Sequence, residues 1–308
     1  MIPTEFKSRI NWFLVFAAVL TAAFSVFLIQ WVRFCLEEDL FSYTLIVPGV
    51  CAWLIWQQKE SLNFEFRSGS TVALSFLGMS LLLLGGSFWV GSTDLATAIS
   101  FRTGAYASLL IAGSYFFLGR RLIQQILFPV MFLLFMVPFP PLVVEVIEIG
   151  LQNASAEVSG WFFSAIGLSH VQDGRVFLLP NITIEVAQEC SGIRSTIVLF
   201  ITGTIAAYLF LPKQWQRITF CALIIPLGIA RNAFRIVTIG WLCTQYGPEM
   251  IDSPIHHRGG PVFFGLSLIP LFVLLWVFRR MNRPERSGGT GDEGGRVVEM
   301  SEPSKAVQ

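Results

Sequence analysis

Charge is what this 308-residue chain has least of: Asp, Glu, Lys and Arg make up 13% of it, against 54% hydrophobic residues. Soluble globular domains carry about a quarter charged residues, so a water-soluble fold is excluded. The net charge is only +1 and no basic groove with interleaved aromatics is present, which sets nucleic acid aside as a partner. Five cysteines, at Cys35, Cys51, Cys190, Cys221 and Cys243, contain no CxxC pair, and their odd number leaves at least one thiol unpaired. Cys51 and Cys221 lie within apolar runs and read as small packed residues. A disulfide between Cys35 and Cys243 stays open. Histidine occurs three times, at His170, His256 and His257.

What the chain does have is long apolar runs. A bilayer needs about 20 such residues per helix, and eight runs can be drawn, near 10–32, 41–57, 71–92, 99–118, 122–138, 190–211, 217–244 and 260–279. The first, from Trp12 to Val32, is too long for a signal-peptide core and is followed by no cleavage site, so it reads as a retained span. Pro226 is expected to kink the seventh. The expected fold is an all-α polytopic membrane protein of about eight transmembrane helices. Residues 1–283 form its multi-pass unit, and 284–308 read as a disordered tail rich in Gly, Ser and charge.

Short cytoplasmic loops keep Lys and Arg. Lys7 and Arg9, Lys59 and Arg67, Arg120 and Arg121, Lys213 and Arg217, and Arg279, Arg280 and Arg283 all fall on one side of an eight-span chain. Both termini are therefore expected in the cytoplasm. The opposite loops carry Glu37, Glu38, Asp39, Asp94, Glu249 and Asp252, with Arg33, Arg175 and Arg258 as isolated exceptions.

The long outer segment has its own pattern. Glu145, Glu148, Gln152, Ser155 and Ser159 recur at spacings of three and four, a polar stripe on an otherwise apolar helix over about 141–167. Such a helix lies at the interface or lines a cavity. Beyond it, the Asp173-Gly174 turn signal and the alternation through Val176, Leu178, Ile182, Ile184 and Val186 read as a β-hairpin over about 173–187. That hairpin runs straight into EVAQECSGIR, where Cys190 stands at the start of the sixth apolar run. A helix N-terminus favours the thiolate, which makes Cys190 a candidate nucleophile.

Two further elements could serve it. Arg231 and Arg235 share one face of the seventh span, and charges within a span mark a partner, a pathway or a site. Eighteen residues separate Arg235 from Arg217, about 27 Å of helix at 1.5 Å each, which carries Arg235 up to the level of Cys190. SPIHHRGG supplies His256 and His257 before the last span. Cysteine acyl transfer needs a nucleophile, a proton carrier and an oxyanion donor. Cys190, His256 and Arg235 offer one of each. Arg231 reads as pairing with a carboxylate or with carbonyls, and Asn232 as a brace for loop backbone or substrate. A zinc site from Cys190, His256 and His257 lacks evident further ligands.

ECSGIR around Cys190, NAFRI around Arg235 and HHRGG around His256, in this order and separation, resemble the exosortase/archaeosortase family of multi-pass membrane cysteine transpeptidases. The match runs from roughly Phe41 to Trp276. It implies a catalytic set of Cys190, Arg235 and His256, with His257, Arg231, Asn232, Glu189, Ser191 and Gly192 as supporting candidates, and neither cofactor nor metal. The spacing of histidine four positions before Gly260 favours His256 over His257, although archaeal relatives carry arginine there. Implied substrates are exported proteins whose C-terminal signal joins a recognition motif, a membrane helix and a basic tail, as in PEP-CTERM proteins. The enzyme would cut at the motif and pass the new C-terminus to an envelope acceptor, a function often linked to exopolysaccharide production. It would sit in the bacterial inner membrane among lipid, its active site facing the periplasm. Two other readings stay open: a transporter or polysaccharide-assembly protein that binds an anion through Arg231 and Arg235, and a protease that hydrolyses without transfer.

Overall fold

In a hydrocarbon layer each backbone N–H and C=O must bond within its own segment, so the apolar runs fold as helices. The computed structural model describes residues 3–91, 94–180, 182–187, 191–252 and 260–281. In chain order the helices are α1 (Thr4–Ala23), α2 (Ser25–Glu37), α3 (Val47–Gln57), α4 (Ser70–Val90), α5 (Leu95–Leu118), α6 (Arg120–Gln125), α7 (Leu127–Phe132), α8 (Pro141–Ala165), α9 (Ile193–Phe210), α10 (Gln214–Tyr246) and α11 (Gly260–Arg280). Short 3-10 helices occupy Asp39–Leu45, Leu133–Met136 and Pro248–Asp252.

Among the described residues seven segments are long and apolar enough to cross a membrane: α1, Asp39–Gln57, α4, α5, α9, α10 and Val262–Arg280. The fifth expected span, 122–138, is not one helix. It breaks at Ile126, tightens into the 3-10 turn, and the chain then bends by 96° into α8. Pro140 holds extended backbone, with φ −56 and ψ 147, and Pro141 opens α8 at a position whose N–H needs no partner. The run near 10–32 is likewise two helices, α1 and α2, meeting at Phe24. Its hydrogen-bond ladder carries on across the joint, Phe24 N to Leu20 O at 2.9 Å and Leu28 N to Phe24 O at 2.9 Å.

The basic segments meet at one end. Arg120 N donates to Arg67 O at 2.7 Å, Arg121 pairs with Glu65 at 3.3 Å, and the Arg9 guanidinium lies 3.6 Å from the centre of the Phe66 ring. Nearby, Gln58 Nε2 donates to the Tyr208 hydroxyl at 2.8 Å, Arg217 Nε donates to Leu211 O at 2.8 Å, and Arg279 covers Phe210. The opposite end carries α8 and the sheet.

That sheet has three antiparallel strands, β1 (Val171–Asp173), β2 (Val176–Leu179) and β3 (Ile182–Glu185), so the expected hairpin gains a strand on its N-terminal side. Asp173 pairs with Val176 across the two-residue turn Gly174-Arg175, and Gly174 supplies the positive φ of 59 that this turn demands. Phe177, Leu179, Ile184 and Val186 face inward onto Ala156 and Phe163 of α8 and Ile236 and Val237 of α10. A Cβ at Gly240 would stand 2.8 Å from the Phe163 ring of α8 and 3.0 Å from Leu179 of β2, so α10 can approach both this closely only without a side chain there.

Helix α8 is amphipathic in the sense opposite to a soluble helix. Leu142, Val146, Ile149 and Trp161 are exposed, whereas Gln152, Ser155 and Ser159 are buried. An apolar face turned outward and a polar stripe turned inward suit a helix that borders lipid.

Candidate active site

The first turn of α9 sets the geometry. The helix starts at Ile193, with Gly192 as its N-cap at φ 71, so Cys190 stands three positions ahead of the first helical residue rather than in it. Cys190, Glu189, His256 and His257 lie outside the described residues. Ser191, Gly192, Arg231, Asn232 and Arg235 lie within them, and the fold gathers them.

Gly192 meets α10 directly. A Cβ built on it would be 2.8 Å from both Cγ and Oδ1 of Asn232 and 3.0 Å from Nη2 of Arg231. The backbone two residues after Cys190 therefore rests on the α10 turn that carries Arg231 and Asn232, and Arg235 follows one turn along the same helix. Ser191 is buried, and its Oγ accepts weakly from Ile193 N at 3.4 Å; Thr196 N and Ser195 Oγ both donate to Gly192 O at 3.0 Å. Below them Gly228 packs on Thr196, a close approach that keeps α9 and α10 in register.

Arg231 is buried, and among the described residues neither a carboxylate nor an acceptor for its Nε faces it. Arg235 is half-buried. Asn232 is 1% exposed and donates from Nδ2 to Ser155 Oγ at 3.1 Å, joining α10 to the polar stripe of α8. Along that stripe Gln152 accepts from the Arg175 guanidinium, while Ser159 Oγ donates to Ser155 O at 2.7 Å. Arg175, an exception to the charge pattern, is thus a working part of this end: its carbonyl also receives Val186 N at 2.9 Å as the chain leaves β3.

The outer part of the stripe opens on a cavity of about 710 Å³. Glu145, Glu148 and Gln152 of α8 form one wall, Glu38 and Phe41 another, and Arg175, Glu185 and Ala187 the side nearest Cys190 in sequence. Sequence spacing pointed to the stripe and to a cavity as one of its two readings, but not to Arg175, whose partner is 23 residues away.

The chain matches the family model described as Transmembrane exosortase over residues 31–273. It belongs to the transmembrane exosortase family. No curated protein and no solved structure matches it. The exosortase match encloses the whole gathering of α8, the sheet, α9 and α10, together with all three sequence blocks around Cys190, Arg235 and His256.

The remaining candidates divide plainly. His170 is a packing residue, its ring 5.5 Å from that of Phe163 and its Nδ1 donating to Leu168 O at 3.0 Å. Cys35 and Cys243 are free thiols, so the disulfide left open between them is not formed. Among the described residues no group of three His, Cys, Asp or Glu side chains is arranged to hold a metal ion.

Proposed function

We propose that this exosortase is a cysteine transpeptidase that cleaves C-terminal sorting signals of exported proteins and transfers the new C-terminus to an acceptor. The observation that carries the reading is the contact of Gly192 with Arg231 and Asn232, because it sets the backbone following Cys190 against the helix that bears Arg235. The Cys190 thiolate attacks the scissile carbonyl carbon, and the developing oxyanion is stabilised by Arg235. As the C–N bond breaks, His256 donates a proton to the leaving amine and a thioester remains on Cys190. An acceptor nucleophile then attacks the thioester, its proton passes to His256, and the thiolate is released. The 710 Å³ cavity is the place for the substrate segment, since its wall ends at Ala187, three residues before Cys190.

The reading sets the active site at the periplasmic face of the inner membrane, with both termini in the cytoplasm. The gathering of the basic segments at the end away from α8 supports this orientation.

The test is processing of a co-expressed protein carrying such a C-terminal signal. Cys190→Ala and Cys190→Ser are expected to insert normally and to abolish processing. Mass spectrometry of the processed C-terminus separates transfer, which leaves an added group, from hydrolysis, which leaves a free carboxylate. Undiminished cleavage by both variants rejects the cysteine mechanism and favours an anion-binding transporter acting through Arg231 and Arg235.

A further inference from the structure

The geometry points to Asn232 and Ser155 as a positioning pair that sets the backbone entering α9, and through it the reach of Cys190 toward Arg235. The inference rests on the cysteine reading above.

Both side chains are enclosed, Ser155 at 0% and Asn232 at 1% exposure, and the bond between them joins residues 77 apart in sequence. The Asn232 carboxamide has two faces of duty. Its Nδ2 is held by Ser155 Oγ at 3.1 Å, and its Cγ and Oδ1 form the wall against which Gly192 lies, with no room even for a methyl group. Holding Nδ2 on Ser155 fixes the rotation of the amide about its Cβ–Cγ bond, and that rotation decides how closely Gly192 can approach. Ser155 is itself anchored, because its carbonyl receives the Ser159 hydroxyl at 2.7 Å on the rigid body of α8. Asn232 also stands three residues before Arg235, on the neighbouring turn of α10. One amide therefore sets the spacing between the α9 entrance and the helix that carries the oxyanion donor. A displacement of about 1 Å in such a site costs on the order of 100-fold in rate.

The test uses the full-length chain in membranes with a processed substrate, reading kcat and KM separately and normalising to folded enzyme. Ser155→Ala and Asn232→Leu, which keeps the size of the side chain and removes the donor, are each expected to lower kcat about 10- to 100-fold with KM little changed. The double variant should be no slower than the worse single one, because both remove the same bond. Ser155→Thr, which keeps the hydroxyl, should retain most of kcat. Equal loss in Ser155→Thr and Ser155→Ala, additive losses in the double variant, or kcat at the parent value in Asn232→Leu would each overturn the pair. A purely structural role would lower the folded amount and leave kcat per folded molecule unchanged, and that outcome overturns it too. Cys190→Ala, run alongside, separates the two ideas. If it still processes, the cysteine reading fails; if it is inactive while the pair variants run at the parent rate, only the positioning inference falls.

Discussion

Arg194, in the first turn of α9, holds Asp39 of the 3-10 helix at 2.9 Å and ties the helix that follows Cys190 to the wall of the cavity. Both side chains are mostly exposed, at 60% and 73%, and water screens them. Such pairs contribute about 0 to 1 kcal/mol. Asp39→Asn should therefore lower thermal stability in micelles by less than about 1 kcal/mol, and the difference should vanish in roughly 0.5 M salt. A loss of several kcal/mol that survives salt would show that the tether is shielded.

Gly192 is a different matter, since both its backbone and its surroundings demand glycine. An L side chain at φ 71 costs about 1 to 2 kcal/mol, and its Cβ would press on the Asn232 amide at 2.8 Å. Gly192→Ala should destabilise the chain by at least that amount and slow processing per folded molecule, as measured by a melting curve and a processing assay on the same preparation. Parent-like values in both measurements would show that the α9 entrance can shift to accept a methyl group.

How much of this was legible in the sequence depends on how local the cause is. The polar stripe of α8 and the turn at Asp173-Gly174 are visible because period and turn chemistry act over a few residues. The bend into α8 was not, because hydropathy averages over a window and does not register that Pro138, Pro140 and Pro141 end one helix and open another. Nothing in the sequence marks the joint at Phe24, where the ladder continues on both sides. Asn232 stood out beside two arginines, but its partner Ser155 could not be assigned across 77 residues. Arg175 was hidden for the same reason. An isolated base in an acidic loop looks like noise until Gln152 and the cavity are seen around it.

The N-cap of α5 gives a pH prediction outside the spans. Asp94 accepts from Ala96 N at 3.0 Å, Thr97 N at 3.2 Å and the Thr97 hydroxyl. The Thr97 hydroxyl, the Thr97 and Ala96 amides with it, holds the carboxyl below its ordinary value. A depressed folded pKa means that the unfolded chain binds the proton more tightly. The stabilisation is therefore complete above the unfolded value, about 3.9, and fades as pH falls through the lower folded value. Asp94→Ala should cost about 1 kcal/mol at neutral pH, and that difference should shrink in acid. Melting temperatures of both forms at neutral and acid pH check this. A constant gap across the range would mean that the charge of Asp94 contributes nothing to the cap.

The cavity beside α8 can be tested by filling it. Val144 and Ile149 line it from α8, more than one helical turn before Ser155. A bulky ring at Val144 narrows the space. If the cavity receives the substrate segment, Val144→Trp should raise KM several-fold and leave kcat near its parent value, the signature of lost binding shared by ground and transition states. Glu148→Gln, which keeps the volume and removes one of the lining carboxylates, should instead change how KM responds to salt, because it alters the charge that the segment meets. Both substitutions leaving KM at every salt concentration as it was would place the substrate elsewhere, and the cavity would then be a packing fault between α8, the sheet and the 3-10 helix. A fall in kcat with KM constant would mean that the ring had displaced α8 and acted through Ser155, a result that the Ser155→Thr control identifies.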